Sequence, residues 1–394
     1  MFFLNILVVL LLLSAMIIVH EFGHWIVARK LGFQTPIFGF GLPFGKAIKL
    51  GKWFDTEFRF HWFVLGGYVA IPELGDESAE ELKEEMPNLK PLQFFPVWKR
   101  ALVASAGVFF NIVFAYLLCL VMVATIGPPS ENREVVITDI IEGGYIARDA
   151  GLKVGDIILK VNDKDIKSVP DLIKNIAPNK FKKVNLTIKR IYFESDKKKF
   201  ELIPKTVIPN AEGRIGIGVG YANNGEYEKP SRNPLLWLYQ SAKLLLEWSI
   251  SMLIGLWMML VNIIGLAPKN SPKVGAGDLH GILAIVSVFA QALTVDFREV
   301  FRWSAMININ LAIVNLLPIP ALDGGHLLFM FVEKLRGKKI ADSIQQKAIK
   351  AGFVFLIGLM FFVIFNDIKG LITGKFNLPT KEEVNKETII KNAE

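Results

Sequence analysis

Phe2 to Val19 contains only two polar residues, Asn5 and Ser14, and Ala101 to Ile126 contains no charge. An α-helix needs runs of about this length to cross the roughly 30 Å hydrocarbon core of a bilayer. Backbone inside lipid must satisfy its own hydrogen bonds. Such runs therefore restrict the fold to helices, with irregular segments only where protein or water shields them. A secretory leader fits the first run poorly. No Lys or Arg precedes it, no small-residue cleavage site follows it, and helix-compatible sequence continues to Ala28. Arg29 and Lys30 close the helix and should lie in the cytoplasm, which places the N-terminus outside. Lys99 and Arg100 precede the second run, which should return outward. Hydrophobic residues make up 52% of the 394-residue chain, as several spans would require. The net charge of +8 could signal nucleic acid, but Lys and Arg at span ends and on a loop domain account for it. The lipid bilayer is the expected partner of that charge, and no nucleic acid is. The single cysteine, Cys119, lies in an apolar run, so no intrachain disulfide can form.

Between and after these runs the chain changes character. Residues 31–98 hold a Gly- and aromatic-rich stretch followed by the acidic segment Glu73 to Glu85. Thr56 to Val64 is dense in β-formers, which suggests β-hairpins that dip into the cytoplasmic side of the membrane. Residues 133–220 alternate short β-rich runs with two short helical patterns, an α+β domain expected outside the cytoplasm. Trp248 to Ala267 and Ile282 to Val295 are apolar again. If only one of them crossed, the basic cluster Lys334, Arg336, Lys338 and Lys339 would end outside, against the charge rule. Both or neither must cross. Neither is expected to, because Trp237, Trp248 and Trp257 suit a membrane interface. The expected architecture is a polytopic α-helical membrane protein with about four core spans, a re-entrant β-region and an inserted α+β domain. The spans are 1–30, 99–127, 300–336 and 347–372, with interfacial helices over 233–296 and a polar tail over 373–394.

The chemistry starts at His20-Glu21-Phe22-Gly23-His24. Two imidazoles four residues apart share one helix face, so both can reach one metal ion. Glu21 stands beside the first, placed as a general base for water, whose pKa zinc lowers to about 7. Ionisable residues inside an apolar span cost roughly 2.5–3.5 kcal/mol each at mid-membrane on insertion scales, which argues against a chance motif. Two histidines leave an open catalytic zinc site one protein ligand short. Asn315-Leu316-Leu317-Pro318-Ile319-Pro320-Ala321-Leu322-Asp323-Gly324-Gly325 ends an apolar helix with prolines and then presents a single carboxylate. By itself Asp-Gly is a common turn pair. In the same membrane as a two-histidine site, Asp323 is the expected third ligand, with one zinc per chain. His326, three residues from Asp323, could support the metal ligands, but it reads first as a helical histidine near the cytoplasmic surface, and His61 and His280 receive no metal role.

With both motifs in view, the chain resembles the site-2 protease family of intramembrane metalloproteases, and within it the bacterial regulator-of-sigma-E protease group. The resemblance runs over nearly the whole chain. It rests on the HEFGH and NLLPIPALDGG motifs in that order, on Phe38-Gly39-Phe40-Gly41 and Leu65-Gly66-Gly67-Tyr68-Val69, and on Lys99-Arg100 through Ala106-Gly107 and Asn111. Ala150 to Asp156 looks like the signature of the family's PDZ domain, and Asn366-Asp367-Ile368 like the end of its last span. The likeness implies a zinc endopeptidase of the cell inner membrane, active toward the cytoplasmic side, with His20, His24 and Asp323 as ligands and Glu21 as base. It implies that Asn315 holds the substrate backbone and that the PDZ-like domain is extracytoplasmic. Its substrates would be single-span membrane proteins already trimmed by another protease, such as an anti-sigma factor, or signal-peptide remnants. A helical substrate must be unwound before attack, and an edge strand around Gly66, Gly67 and Tyr68 could pair with it. Val108, Ile146 and His280-Gly281-Ile282 depart from the family pattern. The rival functions are a catalytically silent membrane-anchored PDZ scaffold, disfavoured by the intact Glu21, and a transporter, disfavoured by the inserted domain.

Overall fold

The computed structural model describes residues 2–43, 46–63, 66–74, 94–130, 133–140, 145–194, 197–223, 227–266, 281–295, 297–338 and 340–372. Most of the acidic segment Glu73 to Glu85, His280 and the polar tail fall outside these residues. The chain divides into two compact units, one dominated by long helices and one lying mainly within Thr125–Arg232.

In the helical unit, α1 (Phe2–Leu31) is one unbroken helix. Its thirty residues give a length of about 45 Å at 1.5 Å per residue. It packs against α2 (Val97–Thr125), whose start is anchored by Arg100, which donates to Phe95 O. A glycine on each helix makes the crossing close. A Cβ on Gly23 would sit 2.7 Å from Ala106 O and 2.9 Å from Phe110 Cβ. A Cβ on Gly107 would run into the rings of His20 and His24.

Between these helices the chain forms a four-stranded sheet from β1 (Ile37–Phe40), β2 (Ile48–Trp53), β3 (Thr56–Phe60) and β4 (Gly67–Val69), in the order β2-β3-β1-β4. β1 runs parallel to β3 and antiparallel to β4, pairing Phe38 with Val69 and Phe40 with Gly67. β4 is therefore an edge. The aromatic composition of this stretch is used in stacking: Trp25 of α1 lies against Phe38, Phe54 and Phe58, and its indole N–H donates to Thr56.

The C-terminal half supplies α5 (Pro234–Ile263), α6 (Ile282–Val295), α7 (Glu299–Asn315), α8 (Asp323–Arg336) and α9 (Asp342–Ile372). α6 lies on α1, where Phe289, Ala290 and Leu293 cluster with Val9 and with Val300 at the start of α7, and Asn5 donates to Ala290 O. Asp367 of α9 is fully buried and accepts the backbone N–H groups of Gly281 and Ala284 at the start of α6. The 300–336 stretch, expected as a core span whose helix the prolines end before Asp323, is two helices. Pro318 and Pro320 cannot continue α7, and Ala321 takes φ +82 before α8 begins. Among the described residues four helices are long and apolar enough to cross a membrane: Leu4–Leu31, Val97–Thr125, Pro234–Asn262 and Ser343–Gly370. The 233–296 stretch, expected at the interface, thus contains one helix that meets the requirement for a span.

The second unit holds a sheet in the order β10-β5-β6-β8-β9, with β7 paired to β6. Its strands are β5 (Arg133–Ile140), β6 (Ile157–Val161), β7 (Lys164–Asp165), β8 (Val184–Glu194), β9 (Lys197–Val207) and β10 (Ile217–Asn223), accompanied by short helices α3 (Tyr145–Asp149) and α4 (Val169–Ile176). Its last strand runs to Asn223, beyond the expected boundary at residue 220. The alternating strands bury Val135, Ile137, Ile158, Leu186 and Ile188 under Leu172 and Ile176 of α4. Beneath the α3 turn, Arg190 grips buried Asp156 with two nitrogens, at 2.6 and 2.7 Å. The entering and leaving segments run side by side, with Glu228 N bonded to Pro128 O and Pro129 bridged to Tyr227.

Candidate metal centre

The site is built where α1 meets α2 and the break between α7 and α8. The helical turn sets His20 and His24 on one face, with their Nε2 atoms 3.2 Å apart. Asp323, the first residue of α8, brings Oδ2 to 3.1 Å from His20 Nε2 and 3.4 Å from His24 Nε2. Among the described residues these three side chains form the one group of His, Cys, Asp or Glu able to hold a metal, with all ligand atoms within 4.8 Å. Both imidazoles are buried, and Asp323 Oδ2 is buried without a hydrogen-bond partner. Three converging lone-pair atoms in an apolar setting repel one another unless a cation lies among them. Two imidazoles and one carboxylate form a donor set that suits zinc, with a fourth position left for water or substrate.

The rest of the site holds these ligands in place. His24 Nδ1 lies 2.8 Å from Val103 O on α2. A carbonyl only accepts, so that nitrogen carries the proton and Nε2 is left with its lone pair. Asn111 reaches His20 Nδ1 at 3.2 Å. Asp323 is held by the break before it. Cβ atoms on Gly324 and Gly325 would run into the carbonyl oxygens of Leu316, Leu317 and Ile319, so only glycines let that loop fold back on the first turn of α8. Gly352 of α9 leaves similar room for Pro320.

Glu21, His24 and Asp323 open onto a cavity of about 280 Å³. Its remaining wall is mostly apolar, including Val69, Leu74, Leu322 and Phe353, and His326 also lines it. His326 is 8% exposed and lines this cavity, which fits the reading beside Asp323 better than the one at an outer surface. The Val69 backbone N–H donates to the Glu21 carboxylate. Asn315, the last residue of α7, places its amide nitrogen 3.4 Å from His20 Nε2. The three β-region candidates divide. Gly67 backs onto α1, where an added Cβ would lie 3.5 Å from Glu21 Cγ. Gly66 takes φ +108 and accepts from Gly41 N. Tyr68 turns inward, lies over Gly39 on the neighbouring strand and meets His61 Nε2 at 3.2 Å through its hydroxyl. Gly107 and Asn111 stood in the sequence only as carriers of the family resemblance, and neither they nor Asn308 were given a role there. A signal for the asparagines was present, since buried polar groups in apolar helices need a reason.

Comparison with known proteins gives the chain a family. The model of peptidase family M50 matches residues 8–359. A protein of Nostoc sp. named as a zinc metalloprotease is 34% identical over 379 residues, 94% of this chain and 97% of its own length. One from Synechocystis sp., with the same kind of name, is 32% identical, covering 93% of this chain and 95% of its own. The membrane metalloprotease ARASP of Arabidopsis thaliana chloroplasts is 30% identical over 91% of this chain and 77% of its own. Matched from the first helix into the last, the chain belongs to peptidase family M50, the site-2 proteases.

Proposed function

We propose that the protein is an intramembrane zinc endopeptidase of the cell inner membrane. Its substrates are single-span membrane proteins that another protease has already trimmed, such as an anti-sigma factor or a signal-peptide remnant. The observation that carries this reading is the convergence of His20 Nε2, His24 Nε2 and Asp323 Oδ2 beside Glu21. His20, His24 and Asp323 hold one zinc ion per chain, which supplies Lewis acidity toward a carbonyl and toward water. Glu21 takes the proton of the attacking water and passes it to the departing amine nitrogen. The apolar cavity wall keeps bulk water from the reacting atoms. Asn315 bonds the substrate backbone from the end of α7.

The substrate enters as an extended strand along β4. In the β1–β4 pairing, Ala70 N–H points toward β1 and bonds Ile37 O. Strand alternation therefore turns the backbone groups of Gly67 and Val69 to the open side, facing Glu21. An unwound peptide paired there presents its carbonyl to the ligands. The unit around β5 to β10 is a PDZ-like domain on the extracytoplasmic side, and it screens substrates by the size of their outer domain.

Incubation of the purified protein with a tagged single-span substrate tests the reading. Cleavage should stop with a zinc chelator and return with added zinc. Glu21→Gln should retain the metal and lower cleavage by about 10²–10⁴-fold, the usual contribution of a general base. Full cleavage by Glu21→Gln, or active protein free of zinc, refutes it. A silent PDZ scaffold would bind the substrate and leave it whole under every condition.

A further inference from the structure

We propose that Asn111 is a positioning residue for His20, its side-chain oxygen accepting the ring Nδ1–H and thereby presenting the Nε2 lone pair to the metal. The inference rests on the metal centre proposed above and extends it to a residue outside the ligand set. Asn111 lies on α2 and is completely buried. Its amide nitrogen stands 3.2 Å from His20 Nδ1, while its Oδ1 is buried without a partner among the described residues. An amide nitrogen donates, so in this setting Nδ1 must accept and the ring proton falls on Nε2. That proton would point at His24 Nε2 and Asp323 Oδ2, and a protonated Nε2 is no ligand.

A half-turn of the amide removes both conflicts. The two ends of the group are nearly the same size, so the turn leaves the packing unchanged. Oδ1 gains the Nδ1–H as its partner, and Nε2 is freed for the metal. His24 is tied to α2 in the same sense through Val103 O, so both ligand rings are oriented from one helix. A second buried asparagine fixes the first: Asn308 of α7 donates to the Asn111 backbone oxygen at 2.6 Å. The backbone of the positioning residue is thereby joined to the helix that ends in Asn315.

The test is zinc affinity of the full-length protein, measured by competition with a chromophoric chelator, alongside the thermal stability of the metal-free form. Asn111→Leu, close in size but without an acceptor, should bind zinc about 10–100-fold more weakly, the usual cost of losing such a partner. Asn111→Asp keeps an acceptor oxygen and should bind as the unmodified protein does. If Asn111→Leu does not fold, Asn111→Ala should show the same loss. Unchanged affinity in the variant lacking an acceptor, or equal losses in the leucine and aspartate variants, overturns the proposal and leaves the metal centre standing. Failure of the unmodified protein to bind zinc overturns both.

Discussion

Gly107 is the residue on which the two ligand rings rest. Any side chain there would enter the space of His20 Nδ1 and His24 Nε2, and neither ring can retreat, because each is tied to the same helix. Gly107→Ala should therefore weaken zinc binding by at least about tenfold, in line with other disturbances next to a metal ligand, while the protein stays inserted and folded. Equilibrium dialysis against zinc checks this, and an alanine variant with unaltered affinity would show that the rings have room. The contrast with His20, Glu21 and His24 is instructive. That those three lie together was legible because four-residue spacing on a helix is local geometry, and that Asp323 joins them because a carboxylate next to helix-breaking prolines inside a membrane protein needs a use. Gly107 and Asn111 acquire their roles from the rotation of α2 about its axis, which no local pattern encodes. His326 was read as a surface residue for a related reason: the cavity that it lines is shared with Glu21 and His24 of α1, about three hundred residues earlier, and with Phe353 of α9.

At the scale of elements, the edge strand makes a sharper prediction than its composition could. A strand-rich region was legible from the β-formers of Thr56 to Val64. The parallel pairing of β1 with β3 and the edge position of β4 were not, because register depends on partners across the sheet. Val69 N–H faces away from β1 and toward the Glu21 carboxylate, so Val69→Pro removes a donor that Glu21 and an incoming strand would share and leaves the β1–β4 bonds in place. Cleavage should fall about tenfold or more, the equivalent of roughly one lost hydrogen bond in a site of low dielectric, while zinc stays bound. Kinetics with a tagged substrate and metal analysis of the same sample check the split. Unaltered kcat/KM would reject substrate pairing at this edge. The break between α7 and α8 was half legible. Pro318 and Pro320 announce it, but the return of the loop onto Gly324 and Gly325, which aims Asp323, depends on contacts between α8 and the carbonyls before it.

For the molecule as a whole, packing constrains the path through the membrane. α6 lies beside the first turns of α1, α7 begins in the same cluster, and Asp367 near the end of α9 caps the start of α6. In the proposed orientation all of these are extracytoplasmic. The sequence between α5 and α6 carries Lys269, Lys273 and Asp278, charges that are costly inside a bilayer. Both ends of α5 are therefore expected on the outer side despite its length. A cysteine at Ile264 should react with a membrane-impermeant reagent in intact cells, and reaction only after lysis would make α5 a span. The inserted unit offers a cleaner operation, because its entering and leaving segments are already paired through Pro128 and Glu228. Excision of residues 133–223 should let the enzyme cut untrimmed substrate if the domain screens by size. A folded, zinc-loaded deletion that still spares such substrate would end that model. The ligand set itself has a consequence for biosynthesis. His20 and His24 lie on α1, and Asp323 lies on α8, far later in the order of synthesis. A nascent chain thus carries a two-histidine half-site, one donor short of the open catalytic set. In the proposed centre the third donor arrives only with α8, so the insertion machinery handles α1 and α2 in an unarmed state.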